Sequence, residues 1–71
     1  ASPADKAKAF AAQIAKDLQS KTGLKALDNE WGRREAMINS FADRFPELHE
    51  TVVDAYENAK NDIEAAKMAA Q

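Results

Sequence analysis

Apolar side chains recur every three or four residues along three stretches of the chain, which is the spacing of one face of an α-helix. In the first stretch these positions are Ala7, Phe10, Ala11, Ile14 and Leu18. Ser2 and Pro3 precede the stretch as a cap and a first helical residue. The pattern predicts a first helix over residues 3–21, and we expect Gly23 to end it in the left-handed conformation.

The second stretch predicts a helix over residues 25–44. Its apolar positions are Leu24, Leu27, Trp31, Ile38, Phe41, Ala42 and Phe45. The start is open between residues 25 and 30, because Asp28 and Asn29 are both suitable caps. Gly32 lies inside this helix, where glycine costs about 1 kcal/mol relative to alanine. We therefore expect a neighbouring helix to approach closely beside Trp31.

Pro46 separates the second helix from the third. The residue before a proline disfavours helical geometry, whereas proline itself suits the first turn of a helix. A third helix is predicted over residues 46–69. Its apolar stripe consists of Leu48, Val52, Ala55, Tyr56, Ala59, Ile63, Ala66 and Ala70.

Three amphipathic helices with short connections predict an all-α fold, a small antiparallel three-helix bundle that forms one domain over residues 1–71. The alternative is a helical hairpin that completes its core by homodimerisation. The predicted core consists of Phe10, Ile14, Leu18, Leu24, Leu27, Trp31, Ile38, Phe41, Phe45, Leu48, Val52, Tyr56 and Ile63.

Composition and charge narrow the class of protein. The chain has 71 residues, 45% of them hydrophobic, a formal net charge of −2 and no cysteine. The absence of cysteine excludes disulfides and zinc–thiolate sites. A negative net charge argues against binding to nucleic acid or to an anionic membrane, and no apolar run reaches the ~20 residues of a membrane span. We expect a cytoplasmic protein, with secretion left open.

Motifs for catalysis are missing. His49 is the single histidine, and His49–Glu50 resembles the start of the zinc-protease H-E-x-x-H pattern, but Val53 stands where the second histidine belongs. No serine stands in a Ser-His-Asp order, and there is no glycine-rich phosphate loop. We therefore predict a protein that is not an enzyme and has no cofactor, no metal and no small-molecule substrate.

Arg34 is the most informative charged residue, because it falls within the apolar face of the second helix. Such an arginine must be paired, extend to solvent or lie at an interface. Intramolecular partners would be Glu30, one turn away, or an acid of the third helix, namely Asp54, Glu57 or Asp62. The interface interpretation predicts a partner-binding surface made of Trp31, Arg34 and Met37, with Glu30 and Arg33 at its rim.

The favoured function is a small helical protein–protein interaction module that binds another protein or itself. An alternative uses a ridge of acids on the face of the third helix opposite its apolar stripe, as a regulator or inhibitor that docks on a basic surface of a larger protein. This acidic ridge consists of Glu47, Glu50, Asp54, Glu57 and Glu64. A further alternative is a structural subunit of a helical assembly, because alanine-rich stripes permit tight helix stacking.

Overall fold

The computed structural model describes residues 2–69; residues 1, 70 and 71 lie outside this range. In the described range it shows three helices and no strand: α1 (Pro3–Gln19), α2 (Leu24–Arg44) and α3 (Pro46–Ala69). α3 packs extensively against both α1 and α2, whereas α1 and α2 touch each other much less. The predicted all-α three-helix bundle is confirmed.

The local signals at two helix boundaries act as predicted. The Ser2 hydroxyl accepts a hydrogen bond from the Asp5 backbone N–H at 3.2 Å, which caps the start of α1. Phe45 is the single residue between α2 and α3, with φ −138° and ψ 71° outside the helical region. Its N–H donates to the Phe41 carbonyl, and its own carbonyl accepts from His49. Phe45 therefore closes one helix and opens the next.

The end of α1 differs from the prediction. The helix stops at Gln19, two residues before the predicted end. Ser20 caps it, because its backbone N–H donates to carbonyls of the last turn. The Ser20 hydroxyl donates to the Asp17 carbonyl at 2.7 Å. Gly23 is extended, with φ −139° and ψ 147°, so the prediction of a left-handed residue is wrong. Its carbonyl accepts the Leu27 N–H at 3.0 Å, which makes Gly23 the cap that starts α2.

The core is narrow and is built partly from alanine. Small side chains on α1 and α3 let the two helices approach closely. The buried apolar residues are Ala7, Ala11, Ile14, Leu18, Leu27, Ile38, Phe41, Val52, Ala55 and Ala59. Trp31, Phe45, Leu48, Tyr56 and Ile63 are partly buried around them. Leu24, also predicted in the core, is half-buried.

Two predictions about packing are wrong. Helical spacing predicts Phe10 in the core, but 53% of it is exposed, because α1 and α2 contact each other too little to cover it. Gly32 is predicted beside a neighbouring helix, but it is exposed and a Cβ there would meet no atom within 4 Å. Gly32 therefore has no packing role in this fold.

The bundle measures 47 × 17 × 16 Å. α3 is the longest helix, and after the half-buried Ile63 its remaining described residues are exposed. Met68, near its end, is 76% exposed. Over residues 2–69, none of the helices combines the length and the apolar character needed to cross a membrane.

Candidate functional site

Glu30 is the one buried charged residue in the described range, with 5% of its surface exposed. Arg34, one turn along α2, donates from Nε to Glu30 Oε2 at 2.9 Å. The same guanidinium donates from Nη2 to Asp17 Oδ2 of α1 at 3.0 Å. Arg34 thus makes two charge-assisted hydrogen bonds, which are stronger than neutral ones: one within α2 to Glu30 and one that connects α2 to α1 through Asp17.

Two further cations face the same carboxylate. Lys21 Nζ and Arg33 Nη1 each lie 3.7 Å from Glu30 Oε1. The hydrogen bond from Arg34, helped by the charges of Arg33 and Lys21, lowers the pKa of Glu30 although burial opposes this. We call these residues the Glu30 cluster; its members are Asp17, Lys21, Glu30, Arg33 and Arg34. All ion pairs found in residues 2–69 belong to it.

The partners of Arg34 agree only partly with the prediction. Glu30 is a partner as predicted, but the second partner is Asp17 of α1 rather than an acid of α3. Side chains of a helix lean towards its N-terminus. The N-terminus of α2 lies at the α1–α2 turn, and Asp17 lies in the last turn of α1 before it. The lean of the Arg34 side chain towards the N-terminus of α2 is therefore the signal that could have predicted Asp17 as its partner.

Trp31 lies on another side of α2, against α3. Its ring centroid is 4.8 Å from that of Tyr56, with the planes tilted by 57°. The Tyr56 hydroxyl donates to Asp28 Oδ1 at 2.6 Å, and this hydrogen bond, together with burial, raises the pKa of Tyr56. The predicted binding surface is therefore divided: Trp31 packs on α3, whereas Arg34 and Met37 face α1.

An apolar groove lies between the N-terminal half of α1 and the C-terminal half of α2. Sequence reasoning missed it, apart from Met37. Phe10 is 53% exposed and Met37 is 38% exposed. The hollow has a volume of about 280 Å³, and we call it the Phe10–Met37 groove. Its apolar lining consists of Pro3, Ala7, Phe10, Met37, Phe41 and Phe45.

A second hollow of about 470 Å³ lies at the α2–α3 turn and shares Arg44 and Phe45 with the groove. The charged side chains that line the two hollows are Lys6, Lys8, Arg44 and Glu47. Three of these four are cations, and we call those three, Lys6, Lys8 and Arg44, the basic rim. The two charged side chains that line the groove itself, Lys6 and Arg44, are both cations, whereas Lys8 and Glu47 line the neighbouring hollow.

The acidic ridge is exposed along its whole length. No ion pair engages its carboxylates within the described residues. Apart from Glu47, which lines the hollow at the turn, the ridge residues are absent from the linings of the groove and of that hollow. The molecule therefore presents an apolar groove with a basic rim on one surface and carboxylates on another.

In the part of the chain that the structure describes, no three His, Asp or Glu side chains are grouped so that they could hold a metal ion. Comparison of the chain with protein-family models, with curated proteins and with solved structures gives no match. The features that distinguish this surface are its geometry and its charge: an exposed phenylalanine in a concave apolar groove, cations at the border, and an ion-pair cluster further along the same two helices.

Proposed function

We propose that the protein is a small helical protein-interaction module and that the Phe10–Met37 groove is its docking surface. The observation that supports the proposal is the exposure of Phe10 beside Met37 in a hollow lined by apolar side chains. Concave apolar surfaces of this kind mark binding sites more often than isolated apolar side chains do. A partner would bury these side chains and gain the hydrophobic free energy that the fold leaves unused.

The Glu30 cluster supports this proposal by fixing the walls of the groove. α1 and α2 contact each other little, so their relative position depends on the few bonds between them. Arg34 of α2 supplies one such bond to Asp17 of α1, and Lys21 ties the α1–α2 turn to Glu30 of α2. A groove held in place before binding costs less ordering entropy when a partner arrives. We assign Glu30 and Arg34 this positioning role, and Met37 the direct contact.

The proposed module is not an enzyme. Its docking surface consists of aliphatic and aromatic side chains with a few cations, which suits recognition of apolar side chains on another protein. A non-catalytic role of this kind needs no cofactor. The partner must supply bulky apolar groups that fill the hollow around Phe10.

A selection experiment tests this function. A displayed library of helical peptides is selected on the wild-type protein and then screened for binding to the Phe10→Ala/Met37→Ala double variant. Met68→Ala is the matched control, because Met68 is exposed but lies near the end of α3, away from the groove. We expect selected peptides to lose binding to the double variant and to keep binding to the control. Peptides that bind all three proteins equally would contradict the proposal.

A second candidate function uses the acidic ridge as a docking surface for a basic protein. Its support is the exposure of all five carboxylates without ion-pair partners in the described residues. Such binding would weaken steeply with added salt and would not depend on Phe10. Replacing Glu50 and Asp54 by their amides, with the groove intact, separates this function from the first.

A further inference from the structure

We infer that the Phe10–Met37 groove accepts an amphipathic helix whose polar edges are acidic. This inference rests on the proposed function and adds the chemistry of the partner. It follows from three observations: the shape of the groove, the charge of its border, and the surfaces that the chain itself could offer to it.

The shape of the groove suits a helix. α1 and α2 are antiparallel neighbours that both pack on α3 through their inner sides. On their outer side they leave a second groove, and there no helix of the described chain covers Phe10. Apolar residues at i, i+3, i+4 and i+7 of a partner helix form a ridge that fits between two such helices.

The charge of the border selects the partner's polar edges. Lys6 lies on the α1 wall of the groove and Arg44 on the α2 wall, so a bound helix meets a cation on each side. Arg33, one turn before Met37 on α2, is paired with Glu30, so the positive field of the border comes from Lys6 and Arg44. Acids flanking the partner's apolar ridge would pair with these cations, and lysines there would be repelled.

A second copy of this chain fits the groove less well. In a twofold dimer through the groove, the basic rim of one copy would face the basic rim of the other. The acidic ridge would match the charge, but along its face the described chain carries a single exposed large apolar side chain, Met68, one turn after Glu64 near the end of α3, and not a ridge of apolar residues over several turns. These comparisons favour an acidic helix from another protein.

The test uses two synthetic peptides of about five helical turns. Both carry leucine at the same i, i+3, i+4 and i+7 positions, and the flanking polar positions are all Glu in one peptide and all Lys in the other. Fluorescence anisotropy of the labelled peptides gives their affinity for the wild-type protein at low and high salt. We expect the Glu peptide to bind at least about tenfold more tightly at low salt, and the difference to shrink as salt screens the rim.

Variants distinguish the parts of the proposal. Phe10→Ala/Met37→Ala should abolish binding of the Glu peptide. Lys6→Gln/Arg44→Gln should remove most of the preference for Glu over Lys while leaving the apolar contribution. Equal, Phe10-dependent binding of both peptides would overturn the acidic partner but keep the docking groove. Absence of binding by either peptide would overturn the groove as a helix site, and with it the proposed function.

Two further measurements test whether a second copy of the chain or a membrane surface occupies the groove instead. Light scattering that shows a dimer dependent on Phe10 would replace the acidic helix by a second copy. Co-sedimentation with phosphatidylserine vesicles that is lost in the Phe10→Ala/Met37→Ala variant would replace it by a membrane surface. We expect neither result with the wild-type protein.

Discussion

Glu30 is a carboxylate that the fold removes from water, and its stability depends on the cations around it. Arg33 and Arg34 of α2 and Lys21 of the α1–α2 turn approach its two oxygens, and Arg34 also reaches Asp17 of α1. A buried carboxylate without such partners would be strongly unfavourable. The cluster therefore both requires and stabilises the position of α1 on α2.

Neutralising Glu30 should destabilise the protein. We expect Glu30→Gln to lower the free energy of unfolding by about 1–3 kcal/mol, because the hydrogen bonds to residue 30 lose their charge assistance and Arg34 keeps only Asp17 as a charged partner. Glu35→Gln is the control: Glu35 is exposed on the same helix, so its replacement should change stability by less than about 0.5 kcal/mol. Urea unfolding followed by circular dichroism measures both. Equal effects of the two substitutions would contradict the role of the cluster.

The lowered pKa of Glu30 predicts an acid dependence with a definite sign. Its pKa in the folded state lies below the ordinary value of 4.5, so its contribution to stability is complete above that value. The contribution is lost as the pH falls through the folded-state pKa. The difference in unfolding free energy between wild type and Glu30→Gln should therefore shrink in acid. A difference that stays constant from neutral to strongly acidic pH would contradict this.

Tyr56 is the single tyrosine, so its ionisation can be followed directly by phenolate absorbance. The hydrogen bond to Asp28 and burial raise its pKa above the ordinary value of 10.0. Asp28→Ala should move the titration back towards that value, because the neutral phenol loses its acceptor and the phenolate loses a repelling charge. Glu35→Ala on the same helix should leave the titration unchanged. A wild-type curve centred at the ordinary value would contradict the contact.

At the scale of the helices, Gly32 is the position where a substitution should increase the stability of the protein. It lies inside α2, is exposed, and has open space where a Cβ would stand. Gly32→Ala should raise the free energy of unfolding by about 1 kcal/mol, because alanine loses less conformational freedom in a helix. The same substitution at Gly23, the cap of α2, should be neutral or destabilising, since alanine is a poor cap. Thermal unfolding of both variants checks that the substitution at Gly32 stabilises the protein and the substitution at Gly23 does not.

Helix positions could be predicted from the sequence because their signals are local. Ser2 and Pro46 act within one turn of their own position, and the structure confirms both. Phe10 and Gly32 could not be placed, because their surroundings depend on how far α1 stands from α2. Periodicity places Phe10 on the apolar side of its helix but does not say which other helix covers that side.

The candidate surface could be predicted only in part for the same reason. The predicted binding surface includes Met37, at the edge of the apolar stripe of α2, and Met37 does lie in the groove. The same prediction groups Trp31 with it, although Trp31 packs on Tyr56 of α3. When the apolar stripe of one helix faces two neighbouring helices, the sequence of that helix does not say which residues face which neighbour. In this fold the packing of the helices decides it: Trp31 faces α3 and Met37 faces α1.

At the scale of the whole molecule, the three helices bury a core within one chain and leave the groove open. We expect a monomer of 7.8 kDa in light scattering from low to high micromolar concentration, at low and at high salt. Like charges of the basic rim oppose a twofold contact through the groove, and the buried core needs no second chain. A larger species would instead support self-assembly, one of the alternatives that the alanine-rich stripes leave open.

The central claim is that the outer side of α1 and α2 is a docking surface, and chemical-shift mapping tests it most directly. The isotope-labelled protein is titrated with the acidic leucine peptide while amide signals are followed along the chain. We predict that the largest shifts occur around Ala7, Phe10, Met37 and Phe41, with the outer face of α3 unchanged. Shifts confined to the acidic ridge, or no shifts at a large molar excess of peptide, would contradict this claim.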